Sequence, residues 1–176
     1  MKLITIALST VFISLNASAA DSAAMKPTDA QISSVVMTAS QAEVTDAKLA
    51  QSKATNKEVK DFAAQMIKDH GKNEKDAQAL TKKIGVTPDM NFAQTQELKK
   101  STATKAETMK SLKGAEFDKA YIENQVAMHQ SLLNDLNEKF IPAAQNPEFK
   151  TFLQTTKGHI EAHLTHAKDL QAKMTK

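Results

Sequence analysis

The stretch TNKEVKDFAAQMIKDHGKNEKDAQALTKKIG, residues 55–85, has the pattern of one long amphipathic helix. Thr55 and Glu58 match the capping box that begins many helices, and Gly85 is the residue type that often follows a helix end. Between them, apolar residues recur every three or four positions, which indicates a face that packs against other helices. These residues are Val59, Phe62, Ala63, Met66, Ala77, Leu80 and Ile84.

The segments on both sides predict further helices. Thr28 and Gln31 form another capping box, from which a helix extends to about Ala54, so only a tight turn separates it from the helix at 55–84. Asn146-Pro147 is an N-cap and first-turn pair that begins the last helix. The other predicted helices are a shorter one at 93–113 and one at 116–140 that Pro142 ends or kinks, and the last helix reaches about Met174.

The order and spacing of these helices predict an all-α fold. Alternating runs of β-branched residues with turn signals, which mark strands, are lacking. Short turns join the first helix to the second and the fourth to the last, whereas residues 86–114 separate the two pairs. Two helical hairpins joined by a long crossover that contains a short helix make a ferritin-like four-helix bundle. We therefore expect one ferritin-like helical domain over residues 28–174.

The first residues have the composition of a cleavable export signal. LITIALSTVFISL supplies an apolar stretch after the positive Lys2, and NASAA supplies small residues for cleavage near Ala19 or Ala20. The apolar stretch is too short to span a bilayer, so no membrane insertion is expected. We predict a signal peptide at 1–20, a disordered spacer at 21–27, and a periplasmic or secreted protein.

The composition argues against nucleic acid as a partner. The formal net charge is +3, and the basic residues are all Lys, interspersed with Asp and Glu along the chain. Arg, which makes bidentate contacts to phosphate and guanine, is lacking. The chain has no Cys, so no disulfide stabilises it. The sequence does not identify a protein partner, and it allows a homodimer.

Polar residues interrupt the apolar faces of the four long helices. They are Glu43, His70, His129 and His163, one on each helix. At 1.5 Å per residue, each lies near the middle of its helix and at a similar distance from the nearest tight turn. We therefore expect these four side chains to converge at one level of the core.

Two interpretations of this convergence remain open. In the first, Glu43 accepts hydrogen bonds from the histidines in a network that stabilises one helix register. In the second, Glu43, His70, His129 and His163 bind a divalent transition metal, for which Zn, Mn, Fe and Cu are all suitable. Residues that can add ligands or support them are Asp46, Asp69 and Gln125, together with His159 and His166 at the edge of the last helix.

Three functions are consistent with these interpretations. They are metal binding or sensing in the cell envelope, a structural or partner-binding role, and a metalloenzyme. A di-iron oxidase is disfavoured, because that chemistry uses a Glu-x-x-His motif on two helices. The residues three positions before His70 and His163 are Ile67 and Ile160. A binding protein is therefore favoured over an enzyme.

Three stretches of the sequence also carry a family resemblance. They are ASQAEVTDAKLAQSKATNKEVKDFAAQMIKDHGKNEKDAQAL, FDKAYIENQVAMHQSLL and HIEAHLTHAKDL. With these stretches the chain resembles a widespread bacterial family of exported proteins, described as outer-membrane proteins with a ferritin-like domain of unknown function. The family pattern falls on Glu43, Asp69-His70, His129 and His163-Leu164. The resemblance implies a ferritin-like fold but no activity, and the missing Glu-x-x-His pair departs from true ferritins.

Overall fold

The computed structural model describes residues 26–174, and this part of the chain is helical, with no strand among its described residues. The predicted all-α fold is therefore confirmed. The predicted signal peptide lies outside the described residues, as does most of the predicted spacer. The helices are α1 (Asp29–Lys53), α2 (Lys57–Lys83), α3 (Ala93–Ser111), α4 (Gly114–Asp135), α5 (Ile141–Ala143) and α6 (Pro147–Met174).

Most helix ends follow the predicted signals. The Gln31 N–H donates to Thr28 Oγ1 at 3.3 Å and the Thr28 N–H donates to Gln31 Oε1 at 3.1 Å, which confirms the first capping box. The Asn146 side chain accepts backbone N–H groups at the start of α6. Gly85 follows α2 with a φ of 70°, a left-handed conformation that glycine adopts without strain.

The capping box predicted at residues 55–58 is wrong. The N-cap of α2 is Asn56, whose side chain accepts the N–H of Glu58. Thr55 instead donates both its N–H and its hydroxyl to the carboxylate of Asp118 on α4, at 3.0 and 2.7 Å. The Thr55 hydroxyl therefore bonds to a residue of another helix and does not cap α2.

The chain stays helical beyond the end of α4. A π-helical turn at Leu136–Phe140 leads directly into α5, where Pro142 lies, and the helical segment ends at Ala143. The N–H of Ile141 bonds to the carbonyl of Leu136, five residues earlier. The helical segment thus continues through Pro142 and ends one residue later, close to the predicted end, and its hydrogen-bond pattern widens just before the proline.

Two buried carboxylates join the tight turns to the helices beside them. Asp118 on α4 accepts from the turn between α1 and α2. Asp29 at the start of α1 accepts the N–H groups of Gln145 and Asn146 in the turn before α6, at 3.0 and 2.9 Å. The two turns therefore lie at opposite ends of α1. α1 packs along α2 and α4 packs along α6, while α3 lies mainly against α1.

The apolar core consists of two clusters, one toward each turn. One contains residues such as Phe62, Met66, Phe117 and Leu170. The other contains residues such as Ile32, Leu136, Phe140, Phe149 and Ile160. Between them lies a layer of buried polar residues contributed by α1, α2, α4 and α6, namely Ser40, Glu43, Asp46, His70, Asn73, Gln125, His129, Thr156 and His163. Within residues 26–174, none of the helices has an apolar stretch long enough to cross a bilayer.

Candidate metal centre

Three buried histidines from three helices meet in the polar layer. His70 on α2, His129 on α4 and His163 on α6 each offer a ring nitrogen, and these nitrogens lie within 4.8 Å of one another. The ring centroids are 5.2–5.4 Å apart in all three pairs. We call these residues the histidine cluster. Each occupies the buried stripe of its helix, as in the series Ile160, His163, Ala167 and Leu170 of α6.

The backbone of α4 sets the tautomer of His129. Its Nδ1–H donates to the carbonyl of Gln125, one turn earlier, at 2.9 Å. A neutral imidazole carries one N–H, so Nε2 of His129 keeps a free lone pair. That Nε2 points toward His70. Metal-binding histidines use the same arrangement, in which the second ring nitrogen donates to an outer acceptor.

A carboxylate sets the tautomer of His163 in the same way. Its Nε2–H donates to Asp69 Oδ2 at 3.1 Å. Asp69 lies on α2, immediately before His70. The lone pair is then on Nδ1, which is buried and has no hydrogen-bond partner in the described structure. A buried nitrogen without a hydrogen-bond partner is uncommon, and its lone pair is free to bind an ion. Asp69 therefore orients the ring of His163.

The spacing of His70 and His129 suits a metal. Their Nε2 atoms are 3.3 Å apart. Two nitrogens bound at about 2.0 Å to a tetrahedral zinc lie about 3.3 Å from each other. The same distance also accommodates a hydrogen bond, in which His70 Nε2–H donates to the free lone pair of His129. The tautomer of His70 distinguishes the two states.

Burial keeps the three rings neutral, which is the form that binds metals. It lowers the pKa of His129 from 6.5 to about 4, against the opposing effect of the Gln125 carbonyl. Burial, followed by the charges of its neighbouring histidines, holds the pKa of His70 well below its usual value. Burial also lowers the pKa of His163, although the hydrogen bond to Asp69 opposes it. Lone pairs are therefore available at neutral pH.

A small cavity adjoins two of the rings. Its volume is about 10 Å³, room for about one water molecule, and Asp69, His70 and His163 contribute to its wall. Asn73 forms another side, where it donates to Ser40 Oγ at 3.1 Å and accepts from Thr156 Oγ1 at 2.8 Å. The space is large enough for about one water molecule beside His70 and His163.

Glu43 belongs to a different part of the polar layer. It lies 3.6 Å from Nδ1 of His129, the nitrogen on the side of the ring away from His70, and accepts a hydrogen bond from Gln125 Nε2 at 2.6 Å. Among the described residues, the group of convergent ligand atoms comprises the three histidines and not Glu43. Glu43 and His129 are not an ion pair at neutral pH, because the ring is uncharged.

The oxygen-bearing side chains around Glu43 form a second group, which we call the carboxylate cluster. Asp46 lies one turn along α1 and accepts from Asn124 Nδ2 at 3.1 Å. The pKa values of both acids are raised to about 7, mainly by burial and, for Asp46, also by the charge of Glu43. The cluster contains Glu43, Asp46, Tyr121, Asn124 and Gln125.

The two remaining candidate histidines are exposed. His159 lines the small cavity from its outer side, and the ring of His166 packs against Phe62 with centroids 5.1 Å apart. Neither contributes to the histidine cluster. Sequence reasoning missed Thr156 and Asn124. Thr156 continues the buried spacing of Ile160 and His163, which was the available signal.

The comparisons with known proteins identify a family. The family described as Domain of unknown function (DUF4142) matches residues 14–170, which is most of the chain. The chain therefore belongs to this family. No curated protein and no solved structure matches it.

Proposed function

We propose that this DUF4142 protein binds one first-row divalent transition metal through His70, His129 and His163. The observation that carries the proposal is the convergence of three ring nitrogens within 4.8 Å. For two of these rings, the hydrogen bonds to the Gln125 carbonyl and the Asp69 carboxylate direct a lone pair away from those partners. Three neutral imidazoles with room for water are a known ligand set for zinc, and imidazole also suits copper and iron.

A structural role of the same residues is the alternative. His70 Nε2–H can donate to His129 Nε2 at 3.3 Å, and Asn73 joins α1, α2 and α6 through Ser40 and Thr156. Such a network stabilises one helix register without any ion. It leaves Nδ1 of His163 without a partner, however, and this is the reason for preferring a metal.

The cellular setting is part of the proposal. The export signal predicted at residues 1–20 supports a periplasmic or secreted protein. The pairs α1–α2 and α4–α6, linked through α3, support a ferritin-like arrangement of two helical hairpins. We infer a role in holding or sensing a metal in the cell envelope.

The test is the metal content of untagged mature protein purified from the periplasm. A His70→Ala/His163→Ala variant removes two proposed ligands. A His159→Ala/His166→Ala variant removes the same number of histidines from the surface and serves as the matched control. We expect about one equivalent of metal in the wild type and the control, and loss of that metal in the cluster variant.

Metal analysis after dialysis against each of Zn, Cu, Mn and Fe identifies the preferred ion. Circular dichroism of each variant establishes that the helices are retained. If the folded wild type takes up none of these ions, or if the cluster variant binds as much as the surface control, the proposal is wrong and the structural network accounts for the histidines.

A further inference from the structure

We propose that the carboxylate cluster is a second cation site, which binds a hard divalent ion such as Ca²⁺ or Mg²⁺ through oxygen atoms alone. It is separate from the histidine cluster and does not depend on the function proposed above. Glu43 and Asp46 on α1 face Tyr121, Asn124 and Gln125 on α4. Hard cations prefer carboxylate and amide oxygens, whereas imidazole selects transition metals.

The two buried acids of the carboxylate cluster carry uncompensated charge when they are ionised. Glu43 is 1 % exposed and Asp46 is 2 % exposed, and they lie three residues apart on one face of α1. The negative charge of Glu43 acts on Asp46, and the cation that acts on both is Lys105, an exposed residue of α3. Two adjacent buried acids are costly unless a counter-ion or a proton neutralises them.

Several buried oxygen atoms of α4 lack hydrogen-bond partners, independently of the charge on the acids. Each amide donates its NH₂ group to one acid, Gln125 to Glu43 and Asn124 to Asp46. The carbonyl oxygens Gln125 Oε1 and Asn124 Oδ1 are then buried and unpaired, as is the hydroxyl of Tyr121. Gln125 and Tyr121 are both fully buried. Unpaired buried oxygens beside acids are the donor set that a cation satisfies.

Helix geometry places the unpaired oxygens on the side of α4 that faces the acids of α1. Tyr121, Asn124 and Gln125 are spaced i, i+3 and i+4, so they share a face of α4. Burial, followed by the charges of Glu43 and Asp46, raises the pKa of Tyr121, so both acids act electrostatically on its hydroxyl. A proton shared by the two acids relieves their repulsion. It is only one hydrogen-bond donor, however, whereas a cation can bind several of the unpaired oxygens at once.

One member of the carboxylate cluster, Asp46, borders a cavity at the surface. Asp46 lines a cavity of about 190 Å³ between α1 and α3, whose wall also includes Thr38, Thr45 and Thr102. The hydroxyl of Thr38 is itself buried and unpaired. An ion can therefore approach Asp46 without passing the histidine cluster.

Terbium luminescence tests the proposal, because Tb³⁺ replaces Ca²⁺ in oxygen sites and emits when a nearby tyrosine is excited. Tyr121 is the single tyrosine of the chain, which has no tryptophan. We expect saturable emission from metal-free protein on addition of Tb³⁺, and its displacement by Ca²⁺. The Glu43→Gln/Asp46→Asn variant keeps side-chain size and removes both charges, so the saturable emission should be lost while the helices remain.

Two matched variants complete the experiment. Glu58→Gln/Asp61→Asn removes an exposed pair of acids with the same spacing on α2 and should keep the emission. His70→Ala/His163→Ala should also keep it, whereas zinc or copper binding should survive in Glu43→Gln/Asp46→Asn. Absence of saturable emission from folded wild type, or its persistence in Glu43→Gln/Asp46→Asn, overturns the second site without affecting the first.

Discussion

The histidine cluster and the carboxylate cluster lie in the same buried layer and share a border at His129 and Gln125, yet burial affects them in opposite ways. Burial lowers the pKa of His129 to about 4 and raises the pKa of Glu43 to about 7. Both groups are pushed toward their neutral forms. For imidazole the neutral form is the one that binds a metal, whereas for a carboxyl group it is the form that does not. Burial therefore keeps the histidine cluster in its ion-binding form, whereas a cation that binds the carboxylate cluster must displace protons from the acids.

Asp118 supplies a third case, in which a buried acid has all the partners it needs. Its carboxylate accepts from the N–H and hydroxyl of Thr55 and from the N–H of Asn56. Replacing Asp118 with Ala leaves these donors without partners, so we expect a loss of about 3 kcal/mol in the free energy of unfolding. Urea denaturation at pH 7 measures this loss. Asp76→Ala, on the exposed side of α2, should change stability little, and an equal loss there would contradict the assignment.

Replacing Glu43 with Gln should increase the free energy of unfolding, in contrast to the loss expected for Asp118→Ala. In metal-free protein the pKa of Glu43 is about 7 against an ordinary value of 4.5. Its contribution to stability is present below pH 4.5 and is lost as the pH rises through 7. The glutamine variant avoids that loss, so it should be more stable than wild type by about 3 kcal/mol at pH 8 and equal to it near pH 4.

Urea denaturation at several pH values, with chelator present, measures this difference. Adding Ca²⁺ at pH 8 should stabilise the wild type and reduce the gap, because the ion binds the folded state. A variant that is less stable than wild type at pH 8 would show that the ionised acid is already compensated.

Asp69→Asn should affect metal affinity more than stability. Asparagine cannot supply the carboxylate that accepts from His163 Nε2 and orients its Nδ1. Losing such a partner typically weakens metal binding 10- to 100-fold. Competition with a chromophoric chelator measures the affinity, with Asp76→Asn as the control. Unchanged affinity would mean that Asp69 does not orient a ligand.

The smallest effects are expected in a pH titration of the unmodified, metal-free protein, which tests the tautomers of His129 and His163. Nitrogen-detected NMR of the rings should show His129 protonated at Nδ1 and His163 at Nε2 near pH 7. His129 should titrate with a pKa of about 4. Its stabilising contribution is then present above pH 6.5 and is lost as the pH falls toward 4, opposite in direction to that of Glu43. The reverse tautomer at either ring would contradict the proposed ligand atoms.

Much of the fold could be predicted because helix signals are local. Periodicity placed all the long helices within a few residues, and the Thr28 capping box, Asn146 N-cap and Gly85 terminus depend only on neighbours in sequence. The prediction failed where a distant residue competed. Thr55 bonds to Asp118 rather than to its own helix, and the π-helical turn precedes Pro142 without a sequence signal.

For the candidate site, the sequence by itself determined that Glu43, His70, His129 and His163 lie inside and at one level. The direction in which a side chain faces and its height along the bundle both follow from helix geometry. Only the tertiary structure decided how these residues are grouped. A helical wheel locates Glu43, His70, His129 and His163 on inner faces but does not reveal which side of an imidazole ring faces which helix. That depends on helix rotation and on the hydrogen bonds to Gln125 and Asp69, which separate the three histidines from Glu43 and Asp46.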